Sequence, residues 1–303
     1  MQQRSLGQTD LEVSSIGLGC VTFGREIDRE TSFEILDHAL ERGINLLDTA
    51  AVYADGASEN VLGEWMSERG TRDQVVLATK VTGMLSKEFV LASAEDSLRR
   101  LKCDCIDLFQ LHCWDEVAPV EETLEALAVL VEQGKVRYVG CSNWSAEQLS
   151  QGLVLSDRVE KLPRMESVQP PYNLVQRDIE TDLLPLCQDE QVGVLAYSPL
   201  GAGFLTGKYR RDGEVPEGTR FDVIPGHQPI YFTEEGFAVV DELRQAAETS
   251  GKSMIELALA WAISRSGVSS VLIGARNRTH VDQAFLAEEL LADESVTNLL
   301  EKF

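Results

Sequence analysis

Positive charge is scarce in this chain: 27 Lys and Arg stand against 50 Asp and Glu, a formal net charge of −23 over 303 residues. A nucleic-acid backbone or an anionic membrane would meet repulsion over most of such a surface, so neither is an expected partner. Long apolar runs are also missing. No stretch approaches the ~18 apolar residues that a membrane span needs, and no basic segment followed by an apolar one opens the chain, which predicts a cytoplasmic protein. The six cysteines, at 20, 103, 105, 113, 141 and 187, form no compact framework, and in a reducing compartment they are free thiols. Cys103 and Cys105 precede His112 and Cys113, but the spacing is not that of a zinc site, so no metal is expected. Gly17-x-Gly19 and Gly201-x-Gly203 both lack the third glycine of a dinucleotide fingerprint, which argues against a Rossmann module. Gly207-Lys208-Tyr209 is likewise no phosphate P-loop.

What is present is an ordinary globular composition, 44% hydrophobic and 25% charged, and an alternation of short apolar runs with amphipathic stretches. Residues 2 to 13 read as a hairpin around Gly7-Gln8-Thr9-Asp10. Strands follow at Ile16 to Gly19, 45 to 48, 75 to 80, 105 to 112, 136 to 142, 166 to 169, Val192 to Tyr197 and Val271 to Ile273. Helices are predicted between them at 29 to 42, 58 to 69, 87 to 101, 120 to 133, 145 to 155 and 177 to 190, with a last one near 292 to 302. Runs such as Val75-Val76-Leu77-Ala78 lack strict alternation, as expected where both faces of a parallel strand are covered. Eight strands alternating with helices predict an α/β fold, a (β/α)8 TIM barrel forming one domain over 1–303. The stretch 199 to 233 has no clear period and reads as a long functional loop after the seventh barrel strand.

Three consecutive strands end on ionisable residues: Asp48, with Tyr53 five positions on, then Lys80, then His112. In a parallel barrel these ends converge on one mouth. Each residue alone has an ordinary explanation, as a cap, a loop aromatic, a solvated strand end or a buried histidine. Together, in the runs DTAAVY, LATKV and LFQLH, they form a pattern that resembles the aldo-keto reductase family, whose catalytic tetrad of Asp, Tyr, Lys and His matches Asp48, Tyr53, Lys80 and His112. The resemblance covers nearly the full chain. It implies carbonyl reduction by a nicotinamide hydride, in which Tyr53 protonates the forming oxyanion. Lys80 would ease the loss of the phenol proton, Asp48 would hold Lys80, and His112 would orient the carbonyl.

The same resemblance implies the cofactor contacts. Ser142, Asn143 and Gln169 would meet the nicotinamide carboxamide, whose donor and acceptors suit amides and hydroxyls. Tyr197 would stack on the nicotinamide ring. Ser198, Leu200, Gly201 and Lys208 match the pyrophosphate loop, and Gly274 with Arg276 the adenosine phosphate side, near His280. Gly19, Cys20 and Asp48 complete the set at the ends of the first two barrel strands. The family commonly has Gln or Arg, then Asn, where this chain has His280 and Ala284. A preference for NADPH/NADP+ then rests chiefly on Arg276, whose fork of donors suits a 2′-phosphate. NADH stays open.

The expected substrate is a small aldehyde, ketone or sugar carbonyl. Phe23, Trp114, Trp144, Tyr231 and Phe232 are candidates to line an apolar mouth. The alternative is a cofactor-binding regulatory protein, because potassium-channel beta subunits look similar; against it, the chain carries no extra N-terminal segment suggestive of channel control. A barrel enzyme using His112 with a metal is a weaker third reading. No helix shows an unmistakable exposed apolar stripe, so a monomer is expected, with a homo-oligomer as the alternative.

Overall fold

Residues 1–303 are described by a computed structural model. A two-stranded antiparallel hairpin, β1 (Gln3–Ser5) and β2 (Glu12–Ser14), precedes a closed barrel of parallel strands. The barrel strands are β3 (Ile16–Gly19), β4 (Leu46–Asp48), β5 (Val76–Val81), β6 (Ile106–Leu111), β7 (Val136–Ser142), β8 (Met165–Gln169), β9 (Gly193–Tyr197) and β10 (Val268–Gly274). They run in chain order and close through β10 on β3, where Val271 pairs with Ile16. The expected TIM barrel with an N-terminal hairpin is therefore the fold. No helix is long and apolar enough to cross a membrane.

The period of two along a strand sorts each one into two faces. Outward residues such as Leu77, Phe109 and Leu111 pack under the helices in a core cluster of 70 buried residues. Inward residues Leu46, Val76, Ala78, Leu108, Leu195 and Leu272 form a second cluster of 9 with Leu6, Leu11 and Val13 of the hairpin, which plugs the N-terminal end. The plug fits because β9 opens on Gly193: a Cβ there would lie 2.5 Å from a Leu6 methyl. Two residues further along the same inward faces come Asp48, Lys80, Gln110 and Tyr197 at the opposite end.

Three segments depart from the expectations. The helix expected over 177 to 190 forms only over Leu183–Asp189, capped by the Asp182 side chain. Pro185 lacks an N–H and is tolerated only in a first turn, so the helix begins just before it. Between β9 and β10 stand two helices that the sequence reading left unassigned, Glu234–Ser250 and Met254–Ser264. The stretch 199 to 233 is not an open loop. It forms short helical turns packed through an aromatic cluster in which Phe204 neighbours Tyr209, Tyr231, Phe232 and Phe237 at centroid distances of 5.1 to 6.3 Å.

Candidate active site

At the C-terminal end of the barrel, β4 and β5 place Asp48 and Lys80 on the inward face. The Lys80 side chain is fully buried. Its Nζ donates to Asp48 Oδ2 at 2.6 Å and to the Thr49 carbonyl at 2.9 Å, and lies 3.5 Å from the Tyr53 hydroxyl. A buried ammonium is tolerable only with such partners. Tyr53 is held by a tight turn in which Ala54, Asp55 and Gly56 all have positive φ (50°, 52° and 87°). Gly56 is required there twice over, since an added Cβ would also meet the Arg100 side chain at 2.6 Å. For Ala54 and Asp55 the left-handed conformation is a cost that the surrounding contacts offset.

His112 stands edge-on to the Tyr53 ring, with centroids 5.9 Å apart and planes at 79°. Its Nδ1 is bonded to the Thr82 hydroxyl at 2.7 Å, leaving Nε2 for a ligand. Burial, with the Lys80 charge adding to it, lowers the imidazole from 6.5 to about 4, so the ring is neutral at physiological pH. Tyr53 differs from the expectation drawn from its neighbours. Burial raises its phenol above 10, Lys80 pulls it back, and the Asp48 carboxylate again opposes Lys80, so the net direction is up. Lys80 itself stays above its usual value: burial opposes the charge, but Asp48 and Tyr53 outweigh it.

The remaining residues fall into two groups. The first is a polar floor below the tetrad: Gln169 Nε2 donates to Asp48 Oδ1 at 2.9 Å and Gln110 Nε2 to the same oxygen at 3.2 Å. Ser142 Oγ donates to the Gln169 carbonyl at 2.8 Å. Asn143, at φ 58°, donates through Nδ2 to the His112 carbonyl at 2.9 Å and accepts the Tyr197 hydroxyl at 2.8 Å. The second group is cationic and lies on the loops after β9 and β10. Lys208, Gly274 and Arg276 are exposed. Lys208 and Arg276 both act on His280, whose pKa is lowered by burial first and then by these two charges; the His280 Nδ1 accepts the Arg276 N–H at 3.3 Å.

A model of the "Aldo/keto reductase family" matches residues 15–303. The chain belongs to that family. Among its relatives is "Aldo-keto reductase YhdN" of Bacillus subtilis, 36% identical over 293 residues, covering 91% of this chain and 85% of the relative. "Protein tas" of Escherichia coli is 32% identical, covering 97% and 96%. A "Probable voltage-gated potassium channel subunit beta" of Arabidopsis thaliana is also 32% identical, covering 96% and 92%. An aldo-keto reductase is an oxidoreductase, and the family generally binds nicotinamide cofactors.

The aldo-keto reductase barrel gathers Asp48, Tyr53, Lys80 and His112 at one mouth, with Gln169, Ser142, Asn143 and Tyr197 beside them. Other sequence candidates are placed differently. Cys20 is fully buried, its N–H donating to the Asp48 carbonyl and its carbonyl accepting the Ser58 hydroxyl, both at 2.8 Å. Phe23, Trp144 and Tyr231 are buried in the core, and only Trp114 and Phe232 keep partial exposure; Trp144 lies behind Trp114, with ring centroids 4.7 Å apart. Three site residues escaped the sequence reading. Gln110 lies two positions before His112 on the same strand face, a parity that could have exposed it. Thr82 follows β5 directly. Arg220, in the aperiodic stretch, lies 3.8 Å from Glu26. Burial favours the protonated Glu26 carboxyl, but Arg25, Arg276 and Arg220 together hold its pKa below the usual value. The three arginines stand far apart in sequence, at 25, 220 and 276, and only the fold brings them together.

Proposed function

We propose that the protein is an NADPH-dependent oxidoreductase that reduces aldehydes, ketones or sugar carbonyls, with Tyr53 as the general acid. The observation that carries this reading is the buried Lys80 ammonium, bonded to Asp48 and 3.5 Å from the Tyr53 hydroxyl, with a neutral His112 beside the same ring. The donor set fits the cofactor. Amides and a hydroxyl from Gln169, Asn143 and Ser142 suit a carboxamide, Tyr197 offers an aromatic face, and Lys208 and Arg276, joined by Arg220, concentrate positive charge for phosphates. When bound, NADPH supplies the hydride.

The protein's own part is to manage charge and a proton. As negative charge grows on the carbonyl oxygen, Tyr53 O–H gives up its proton, and the phenolate left behind is stabilised by Lys80 Nζ. Asp48 keeps Lys80 charged in a buried setting. With Nδ1 held by Thr82, His112 Nε2–H donates to the same oxygen, which a neutral imidazole does without adding a charge. Loss of NADPH absorbance over a panel of aldehydes and ketones tests the reading. Tyr53→Phe lowers kcat by about 10²- to 10⁴-fold with NADPH binding retained. Arg276→Ala weakens NADPH but not NADH. Equal binding of the two cofactors, with the NADPH constant unchanged in Arg276→Ala, would overturn the NADPH preference.

The relatives described as potassium-channel beta subunits support a second reading, a regulatory protein that binds the cofactor. Stoichiometric NADPH binding without turnover on the whole panel, together with capture of a membrane-channel partner, would favour it.

A further inference from the structure

We propose that the mouth selects uncharged carbonyl compounds with an apolar body and discriminates against those that carry a carboxylate or phosphate. The inference rests on the reductase reading and concerns the side of the mouth away from the cationic loops.

Three loops follow the strands that deliver the tetrad: 49 to 56 after β4, 82 to 86 after β5 and 112 to 119 after β6. None contains a Lys or Arg. Each presents one large apolar side chain to solvent, Val52 at 48% exposure, Met84 at 66% and Val117 at 90%. Phe89, also exposed, sits against Gly83. Only nine large hydrophobics are exposed in the whole chain, so one in each of three neighbouring loops is a concentration, not the scatter expected of a surface.

The charges these loops do carry are negative. Asp55 and Glu116 are exposed, and Asp115 is half-buried, accepting the Leu85 and Val117 N–H groups. The one cation beneath them, Lys80, is committed to Asp48. Arg25, in the loop after β3, is bidentate on Glu26 at 2.7 and 2.5 Å. An anionic group lying over these three loops would lose water, find no Lys or Arg on them and face three carboxylates; Arg220, whose charge reaches Tyr53, belongs to the stretch after β9. An apolar group would cover Val52, Met84 and Val117. Positive charge is thus segregated to the loops after β9 and β10, where an anionic cofactor belongs, and withheld from the rim where substrate enters.

Methyl 4-formylbenzoate and 4-formylbenzoate share a shape and differ in the charge at the end remote from the aldehyde. With saturating NADPH the ester is expected to show a kcat/KM at least about tenfold higher. Met84→Lys and Val117→Lys each narrow that ratio, by about threefold or more, and the narrowing fades as salt screens the new charge. Equal rates in the parent, or lysine variants that leave the ratio unmoved, would overturn the proposal. If neither aldehyde is turned over, the reductase reading fails, and the proposal is still decided by competition for the NADPH complex, read as quenching of cofactor fluorescence. Tighter binding of the ester supports it; equal constants, or no binding of either, overturn it.

Discussion

The two ends of the barrel are made by the same strands and obey opposite rules. At the N-terminal end the inward residues Leu46, Ala78, Leu108 and Leu195 meet Leu6, Leu11 and Val13 of the hairpin, in a layer whose polar side chains, the buried Ser167 and Ser270, carry no charge. Two positions on, the same faces carry Asp48, Lys80, Gln110 and Tyr197, linked by hydrogen bonds of 2.6 to 3.2 Å where they involve Asp48. Burial at one end removes apolar area from water, and at the other it strengthens charge. One end therefore stabilises without chemistry, while the other must be held together by the partners that its own charges require.

Lys80→Met tests that dependence most severely. It leaves the Asp48 carboxylate buried without its cation, and unfolding by urea is expected to show a loss of about 3–5 kcal/mol along with loss of turnover. Adding Asp48→Asn recovers most of the stability and none of the activity. Full stability in Lys80→Met would break the claim that the mouth is electrostatically self-supporting. At the other end, Gly193→Val drives a side chain into Leu6 and should cost about 1–3 kcal/mol. Its kcat per folded molecule stays at the parent value, and a changed kcat would show that the ends communicate.

Thr82→Val probes finer positioning. It frees Nδ1 of His112, and kcat is expected to fall about tenfold, roughly 1.4 kcal/mol of barrel-mouth alignment. Thr82→Ser restores it, and ring ¹⁵N signals show mixed tautomers only in the valine variant. The same histidine also sets a pH slope. In the folded protein His112 titrates at about 4 against 6.5 ordinarily, so the unfolded chain takes up the proton first. Stability present above pH 6.5 then declines as pH falls toward 4, and His112→Asn flattens that decline in thermal melts.

How much could be read beforehand follows the same division. The tetrad was legible because strand ends in a parallel barrel converge, so four residues in three runs sufficed. The partners of those residues were not: Gln110 is hidden inside an apolar run, and Thr82 looks like any strand terminus. Helix Met254–Ser264 is buried on every side from Leu257 to Ile263, so it has no polar face to mark a helical period. Helix Glu234–Ser250 does show a stripe, Phe237, Val240, Leu243 and Ala246, with Thr233 as its cap. That signal was available and was obscured by the aperiodic stretch before it. Tyr231 and Phe232 read as substrate contacts because sequence shows ring type, not which rings already face each other.

The closing pair of the barrel joins Ile16 on β3 to Val271 on β10, and the Met1 ammonium reaches Glu288 at 3.3 Å. A chain leaving the ribosome carries its whole tetrad within the first 112 residues, yet the ring that encloses it waits for the last strand to be synthesised. Closing so long a loop adds little to its entropic cost, since that cost grows only with the logarithm of length, but it makes the final contact slow. The mouth is therefore encoded early and assembled late: a nascent chain stopped before residue 268 holds every residue of the tetrad and no closed barrel to present it.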